Sequence, residues 1–377
     1  MHIVDITLFY GRETGGVQTY LHAKRRYLAG VRHVRHTMVV PRGPHLQEDN
    51  DNIGIASMPF PFAPGFRLPI GRAAPVLRKL KPDLIEVGDA SYLAWEALRV
   101  GRELKIPVVG FYHSDLPRIF GRRLGAAAER LVGQYVAKLY GRFDLVIAPS
   151  RSAARRLREL GLERVLYEPL GVDTDVFNPM RRDPGLRSEL GLPEDTRLLI
   201  YVGRFVPEKN LPLLLHAIAL LGKGYHLLAV GGDALLSAPD NVTFLPFERD
   251  RASLARLLAS SDALVHAGDQ ETFGLAVVEA MACAVPVVGV ARGGIGELID
   301  SSTGVLAAPG DALTLATAVR QLYDKDFAQL GRNARLKMLR HFTWEKVVGR
   351  LTDAYTQLSA QGADDFAIQG TTLHAIE

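Results

Sequence analysis

Short apolar or β-branched runs that end in Gly, Ser or Pro alternate with longer segments of three- and four-residue apolar spacing along nearly the whole chain. The short runs read as strands covered on both faces, and the longer segments as helices that cross between them. In the first half, strands are predicted at residues 2–8, 37–40, 83–87, 108–112, 144–148 and 165–168, with helices that include 16–29 and 125–140. A polar segment, 171–179, ends in Asn178-Pro179, and the pattern then restarts. Strands follow at 197–202, 227–230, 242–244, 263–266, 285–290 and 304–307, with helices that include 211–221, 253–260 and 273–282. The expected fold is therefore α/β, two doubly wound Rossmann-like domains in series, residues 1–178 and 179–340. Two such domains facing each other make a cleft at the carboxyl ends of their sheets, so function belongs on the loops that follow strands.

A further segment, 341–360, carries Trp344, Val347, Val348, Leu351, Ala354, Tyr355 and Leu358 at helical spacing and is expected to cross back to the N-terminal domain. Residues 361–377 lose periodicity and read as a tail. No uncharged run approaches the roughly 20 apolar residues of a spanning helix; 210–222 and 280–291 each contain proline. The start, Met1-His2-Ile3-Val4-Asp5-Ile6, places an acid in its first apolar stretch and reads as a strand, so a cytoplasmic protein is expected. One cysteine, Cys283, sits in an apolar run, which leaves neither a disulfide framework nor a cysteine metal site and makes it a small core residue.

Charge changes this picture in one respect. Through Met180 there are 26 Lys and Arg against 18 Asp and Glu, whereas the whole chain carries only +4. Clusters such as Lys24-Arg25-Arg26, Arg122-Arg123 and Arg155-Arg156 with Arg158 suit either solvated helix faces or peripheral contact with a membrane surface or a phosphorylated partner. Basic residues interleaved with exposed aromatics are lacking, so nucleic acid is not an expected partner.

Candidate chemistry concentrates in three places. The segment from His266 to Ala280 lies between a predicted strand and helix. The amides at 272–275 would form an anion site there, flanked by Glu271 and Glu279, whose carboxylates suit vicinal hydroxyls of a ribose and a sugar ring. Arg204 and Lys209 follow strand 197–202, where two cations could neutralise a diphosphate without a metal. In the first half, Gly15-Gly16 opens a helix after the first strand within the loop 11–16, and His113 follows strand 108–112 as a hydrogen-bonding or proton-handling group. Neither Gly15-Gly16 nor Gly294-Ile295-Gly296 completes a dinucleotide fingerprint, which disfavours an oxidoreductase.

Together these residues resemble the retaining nucleotide-sugar glycosyltransferases of family 4, which have the GT-B fold; the resemblance runs from residue 1 to about 358. It is closest over Glu279-Ala280-Met281-Ala282-Cys283-Ala284-Val285-Pro286 and Gly293-Gly294-Ile295-Gly296-Glu297-Leu298. Ala284 stands where glycine is usual, and Gly296 where proline is common. The resemblance implies that Glu271 and the amides of Phe273, Gly274 and Leu275 hold the donor sugar and distal phosphate, while Glu279 takes the ribose diol. It further implies that Arg204 and Lys209 stabilise the departing nucleoside diphosphate, approached by Gly15-Gly16, and that His113 contacts the donor sugar. The donor is expected to be a UDP- or GDP-hexose, with no cofactor or bound metal, and the acceptor a glycan, a lipid-linked group or a small molecule. Acceptor contacts are expected near 89–95 and 116–123. Alternatives are a nucleotide-sugar epimerase of the same fold and a non-catalytic nucleotide-sugar-binding subunit.

Overall fold

Strands covered by helices on both faces can be apolar throughout, and the computed structural model assembles those runs into two parallel sheets. The structure describes residues 1–10, 15–44, 46–59, 67–233 and 238–361. The chain forms two units: Met1–Pro169 with the terminal helix Trp344–Gln361, and Leu170–Thr343. Residues 170–178, which the sequence pattern places in the first half, belong to the second unit; Arg335 there donates to the carbonyls of Phe177 and Thr174 at 2.7 and 3.1 Å.

In the first unit the strands are β1 (His2–Ile6), β2 (Arg35–Pro41), β3 (Asn52–Ile55), a short antiparallel hairpin of β4 (Ser57–Pro59) and β5 (Arg67–Pro69), β6 (Leu84–Val87), β7 (Val108–Phe111), β8 (Leu145–Ala148) and β9 (Val165–Tyr167). The seven-stranded sheet runs β3-β2-β1-β6-β7-β8-β9, so the chain reverses its direction of travel across the sheet between β1 and β6. Asp89, just past β6, fastens that point by accepting from the Thr7 hydroxyl and the Leu8 amide at 2.9 and 2.6 Å.

Beneath the helix Gly16–Leu28 lies a buried polar network. Lys24, which the sequence groups with Arg25 and Arg26 in a solvated or partner-facing cluster, is instead fully buried and donates to Asp5 on β1 at 2.7 Å and to Glu86 on β6 at 2.6 Å. His36 on β2 reaches the second Asp5 oxygen at 2.7 Å, and the hydroxyls of Tyr20 and Tyr355 both donate to Glu86. Tyr355 belongs to the terminal helix, whose Val347, Val348, Leu351 and Leu358 are buried and whose Arg350 forks onto Glu168 at 2.6 and 2.9 Å. The apolar stripe read from the sequence is thus the face that packs, and the helix is part of the first unit. The sequence places a tail at 361–377; residues 362–377 lie outside the described residues.

The second unit contains β10 (Arg197–Val202), β11 (Tyr225–Val230), β12 (Val242–Leu245), β13 (Ala263–His266), β14 (Val287–Val290) and β15 (Gly304–Ala307) in the order β12-β11-β10-β13-β14-β15. Here the reversal falls between β10 and β13, paired through Leu199 with Ala263 and Ile200 with Leu264. Cys283 is a free, buried thiol, as its apolar surroundings imply. No helix among the described residues is long and apolar enough to cross a membrane.

Replacing Lys24 by Met would leave the Asp5 and Glu86 carboxylates buried without their cation. A loss of about 3–5 kcal/mol is expected, read as faster hydrogen exchange in β1 and β6 and an earlier denaturant transition. An unchanged transition would contradict this reading of the network.

Candidate functional site

At the point where an open parallel sheet reverses its strand order, the loops after two neighbouring strands diverge and leave a crevice at the carboxyl edge. In the second unit those two loops are the ones the sequence singles out. The loop after β10 carries Arg204 and Lys209, and the loop after β13 carries Glu271. Lys209 ends the short 3-10 helix Pro207–Lys209, and its ammonium pairs directly with Glu271 across the crevice. Arg204 is exposed and forms no ion pair among the described residues, so its guanidinium is open to a ligand.

Glu271 has a second partner that sequence reasoning passes over. His266, the last residue of β13, is 2% exposed, and its Nδ1 accepts from the Gly268 amide at 3.0 Å. The proton is thereby left on Nε2, which donates to the Glu271 carboxylate at 3.3 Å. Burial lowers the His266 imidazole and keeps it neutral despite the adjacent carboxylate. Burial alone would raise the Glu271 carboxyl, but the Lys209 charge and the His266 hydrogen bond outweigh it and hold Glu271 well below the usual range. Glu271 is therefore a permanent acceptor held from two sides, unsuited to donating a proton.

The helix Leu275–Ala282 begins two residues later than the sequence pattern suggests, because Gly274 sits at φ 110° as its N-cap. No side chain caps it, so the first amides of the helix are available to an anion. The Phe273 ring is packed in the core near Phe342, which leaves its backbone as the part that can face a ligand. Four residues into the helix, Glu279 is buried with no hydrogen bond to its carboxylate among the described residues. Burial pushes it up to about 7, against the opposing pull of Arg251. An unpartnered buried carboxylate is costly by itself and suits a ligand that brings two hydroxyl donors.

A second loop supports this one. The Gly294 amide donates to the Glu271 carbonyl at 2.8 Å, and a Cβ at Gly294 would lie 2.6 Å from the Phe273 Cα and 2.7 Å from two backbone carbonyl oxygens. Gly293 is held at φ 62°, and a Cβ there would lie 2.7 Å from the Glu271 carbonyl oxygen. These glycines mould the segment that presents Glu271.

The remaining candidates lie in the first unit. Gly15, at φ 57°, caps the helix Gly16–Leu28, again with no side-chain cap; residues 11–14 of that loop lie outside the described residues. His113 follows β7 and stacks on Phe111 at 4.0 Å with rings parallel to within 2°. Burial pushes its imidazole down to about 3, so near neutral pH it acts as a neutral hydrogen-bonding group. Of the segment 89–95, expected to touch an acceptor, Asp89 is committed to fastening the β1 and β6 loops. The helix Leu116–Leu124, which spans the other expected segment, begins just after His113 and carries exposed Phe120 and Leu124 beside Arg122 and Arg123.

Residues 14–176 match the model described as Glycosyltransferase Family 4, and residues 183–337 that described as Glycosyl transferases group 1. The chain is 32% identical over 332 residues, 84% of its length and 86% of the relative's, to a GDP-mannose-dependent alpha-mannosyltransferase of Mycolicibacterium smegmatis. It is 28% identical over 374 residues, 93% of its length and 95% of the relative's, to a GDP-mannose-dependent alpha-(1-6)-phosphatidylinositol dimannoside mannosyltransferase of Mycobacterium tuberculosis. Among solved structures, sucrose-phosphate synthase from Thermosynechococcus elongatus superposes with a TM-score of 0.76 at 24% identity, covering 96% of this chain and 99% of that one. HepE of Anabaena, solved with UDP-glucose, superposes with a TM-score of 0.75 at 20% identity, covering 95% and 100%.

Gly294→Ala is expected to displace the 271–273 backbone and reduce ligand affinity at this crevice more than tenfold, because the opposing atoms are backbone and cannot swing aside. Titration with a nucleoside diphosphate checks it, with Gly224→Ala as a comparison where a Cβ would meet nothing within 4 Å. Equal affinity in the Gly294 variant and the unaltered chain would refute the moulding role.

Proposed function

The chain belongs to glycosyltransferase family 4, the retaining nucleotide-sugar enzymes of GT-B fold, and from that premise we propose that it transfers mannose from GDP-mannose to a hydroxyl of a lipid-borne acceptor. That it is a hexosyltransferase follows from the family; the choice of donor and acceptor is our reading. Two relatives matched over 84% and 93% of the chain are GDP-mannose-dependent by name, and one is named a phosphatidylinositol dimannoside mannosyltransferase.

The observation that carries the site assignment is the Lys209–Glu271–His266 cluster beside an uncapped helix start. In this proposal the distal phosphate lies on the amides of Phe273, Gly274 and Leu275, and Arg204 supplies the cation facing the diphosphate. Lys209, already neutralising Glu271, shares its remaining N–H donors with the same phosphate, so charge grows on the leaving group next to two cations. Glu271 accepts hydrogen bonds from sugar hydroxyls, and Glu279 takes the ribose diol. Within the first unit, the uncapped amides at Gly15 and Gly16 suit a phosphate and the neutral His113 imidazole suits a sugar hydroxyl. Glu271 is held as a carboxylate between His266 and Lys209, so the departing phosphate is the better base for the acceptor hydroxyl, in a front-face displacement. With two cations and helix amides placed for the diphosphate, transfer proceeds without a divalent metal.

We assign the membrane approach to the basic first unit. On the helices Leu116–Leu124 and Ala126–Tyr140, Leu124 and Leu131 are each 69% exposed, and Arg122, Arg123 and Arg130 are exposed alongside them. Apolar side chains set among cations suit the headgroup region of an anionic bilayer.

The test of the donor is turnover by the purified protein with GDP-mannose or UDP-glucose, in excess chelator, with and without a lipid acceptor. GDP release that requires acceptor is expected; preference for the UDP-sugar would overturn the donor, and product without acceptor would indicate an epimerase. The diol role of Glu279 adds a pH signature. A group near 7 in the free protein that must be ionised to bind makes the donor KM rise as pH falls below 7, approaching about tenfold per unit. Glu279→Gln should have a high KM that no longer varies with pH over that range; a persisting slope would remove Glu279 from the diol.

Flotation with vesicles tests the membrane surface. Replacing Leu124 and Leu131 by Ser should release the protein from phosphatidylglycerol vesicles by about tenfold while turnover of a soluble acceptor is retained. Undiminished binding would exclude this face.

A further inference from the structure

At the opposite edge of the first sheet, near the amino ends of β7 and β8, a cavity of about 520 Å³ opens between the end of the helix Tyr92–Leu104, the start of β7 and the terminal helix. Its volume falls in the range of small-molecule sites, about 300–1,000 Å³. Three cations line it: Arg102, Lys105 and Arg142. None of them forms an ion pair among the described residues. The acid on the wall, Asp144, accepts from the Val108 amide at 2.7 Å.

The dipole of a helix C-terminus accounts for basic residues at positions 102 and 105. Arg142 lies just past the end of another helix, Ala126–Tyr140, so two helix ends bring three cations to one cavity. The Arg142 guanidinium lies 5.6 Å from the centre of the Trp95 ring, and the Trp95 N–H donates to the Tyr135 hydroxyl at 3.2 Å, so the cation is held in place before any ligand arrives. The Arg102 Nε is occupied by the Leu98 carbonyl at 3.3 Å, which leaves its terminal nitrogens to the cavity. Apolar surface from Ile106, Pro107 and Leu358 completes the wall.

We infer that this cavity binds a small soluble phosphomonoester, its phosphate held by Arg102, Lys105 and Arg142 and its organic part lying against Ile106 and Leu358. A dianion matches converging cations that otherwise repel one another, and guanidinium forks suit phosphate oxygens. The site lies at the opposite end of β7 from His113. Because Leu358 and Ser359 of the terminal helix form one wall, the ligand braces the last turn of that helix and is placed to tune the stability of the first unit.

Thermal unfolding and hydrogen exchange of the full chain with glycerol 3-phosphate, against chloride at equal ionic strength, test the inference. At ten times Kd the unfolding midpoint should rise by about 3–5 °C, with slower exchange in the last turns of the terminal helix. The exposed triple variant Arg102→Gln/Lys105→Gln/Arg142→Gln should unfold at the same temperature as the unaltered chain without the probe and lose the shift. It should also keep its sugar transfer. An equal shift in the variant would place the phosphate elsewhere, and no shift in the unaltered chain at millimolar probe would overturn the site. Lys105→Glu alone supplies a milder variant and should weaken the probe at least tenfold.

Discussion

Both sheets depend on one constraint: neighbouring parallel strands all point the same way, so every loop that follows a strand emerges at one edge. Where the order reverses, two adjacent strands send their chains apart, and polar groups can be placed there without breaking a ladder or filling a core position. In the second unit that place holds the Lys209, Glu271 and His266 cluster between β10 and β13. In the first unit it holds Asp89 with the Thr7 hydroxyl and the Leu8 amide between β1 and β6. The same topology is used once for presenting charge and once for fastening backbone. The apolar strands behind each reversal, such as Leu199 and Ile200 against Ala263 and Leu264, are what make these positions rigid.

How much of this could be read from the chain differs by level. Long buried strands were legible because both faces are apolar, and β10, β11 and β13 fall within a few residues of their predicted limits. The edge strand β3 was not, since Asn52-Ile53-Gly54-Ile55 mixes a polar and a backbone-exposing residue into a four-residue run; Asn52 is tied instead to Asp49 and Arg25. The hairpin β4 and β5 pairs only three residues a side and carries two prolines, too short for periodicity to register. The linear cluster around Glu271 was visible as a strand-to-helix junction. Its pairing with Lys209 was not, because 62 positions separate the two and only the adjacency of β10 and β13 joins them. His266 was absorbed into a strand run, and its role appears only when the Gly268 amide is seen fixing its tautomer.

Ala284 shows how a departure from the family pattern can be read physically. The structure holds it at φ 60°, the left-handed region that favours glycine, which accounts for the usual residue there and assigns this chain about 1 kcal/mol of local strain. The position tolerates a methyl group because the close approach is made by the neighbour: a Cβ on Gly331, in the facing helix Phe327–His341, would lie 2.2 Å from the Ala284 carbonyl oxygen. Gly296, where proline is common, is the second residue of the helix Ile295–Leu298, a first-turn position at which proline's fixed φ is already accommodated.

The terminal helix has a consequence for how the protein is made. Its Tyr355 completes the hydrogen bonding of Glu86, and its Arg350 answers the Glu168 carboxylate, yet these partners are 269 and 182 positions apart in the chain. During vectorial synthesis the second unit, continuous from Leu170 to Thr343, leaves the ribosome whole and can fold at once. The first unit, although begun earlier, waits with an exposed groove and an unfinished buried charge network until the last helix arrives. Its nascent form therefore holds the Glu86 and Glu168 carboxylates without Tyr355 and Arg350 until the helix Trp344–Gln361 is made, so the earliest-made part of the protein is the later to close.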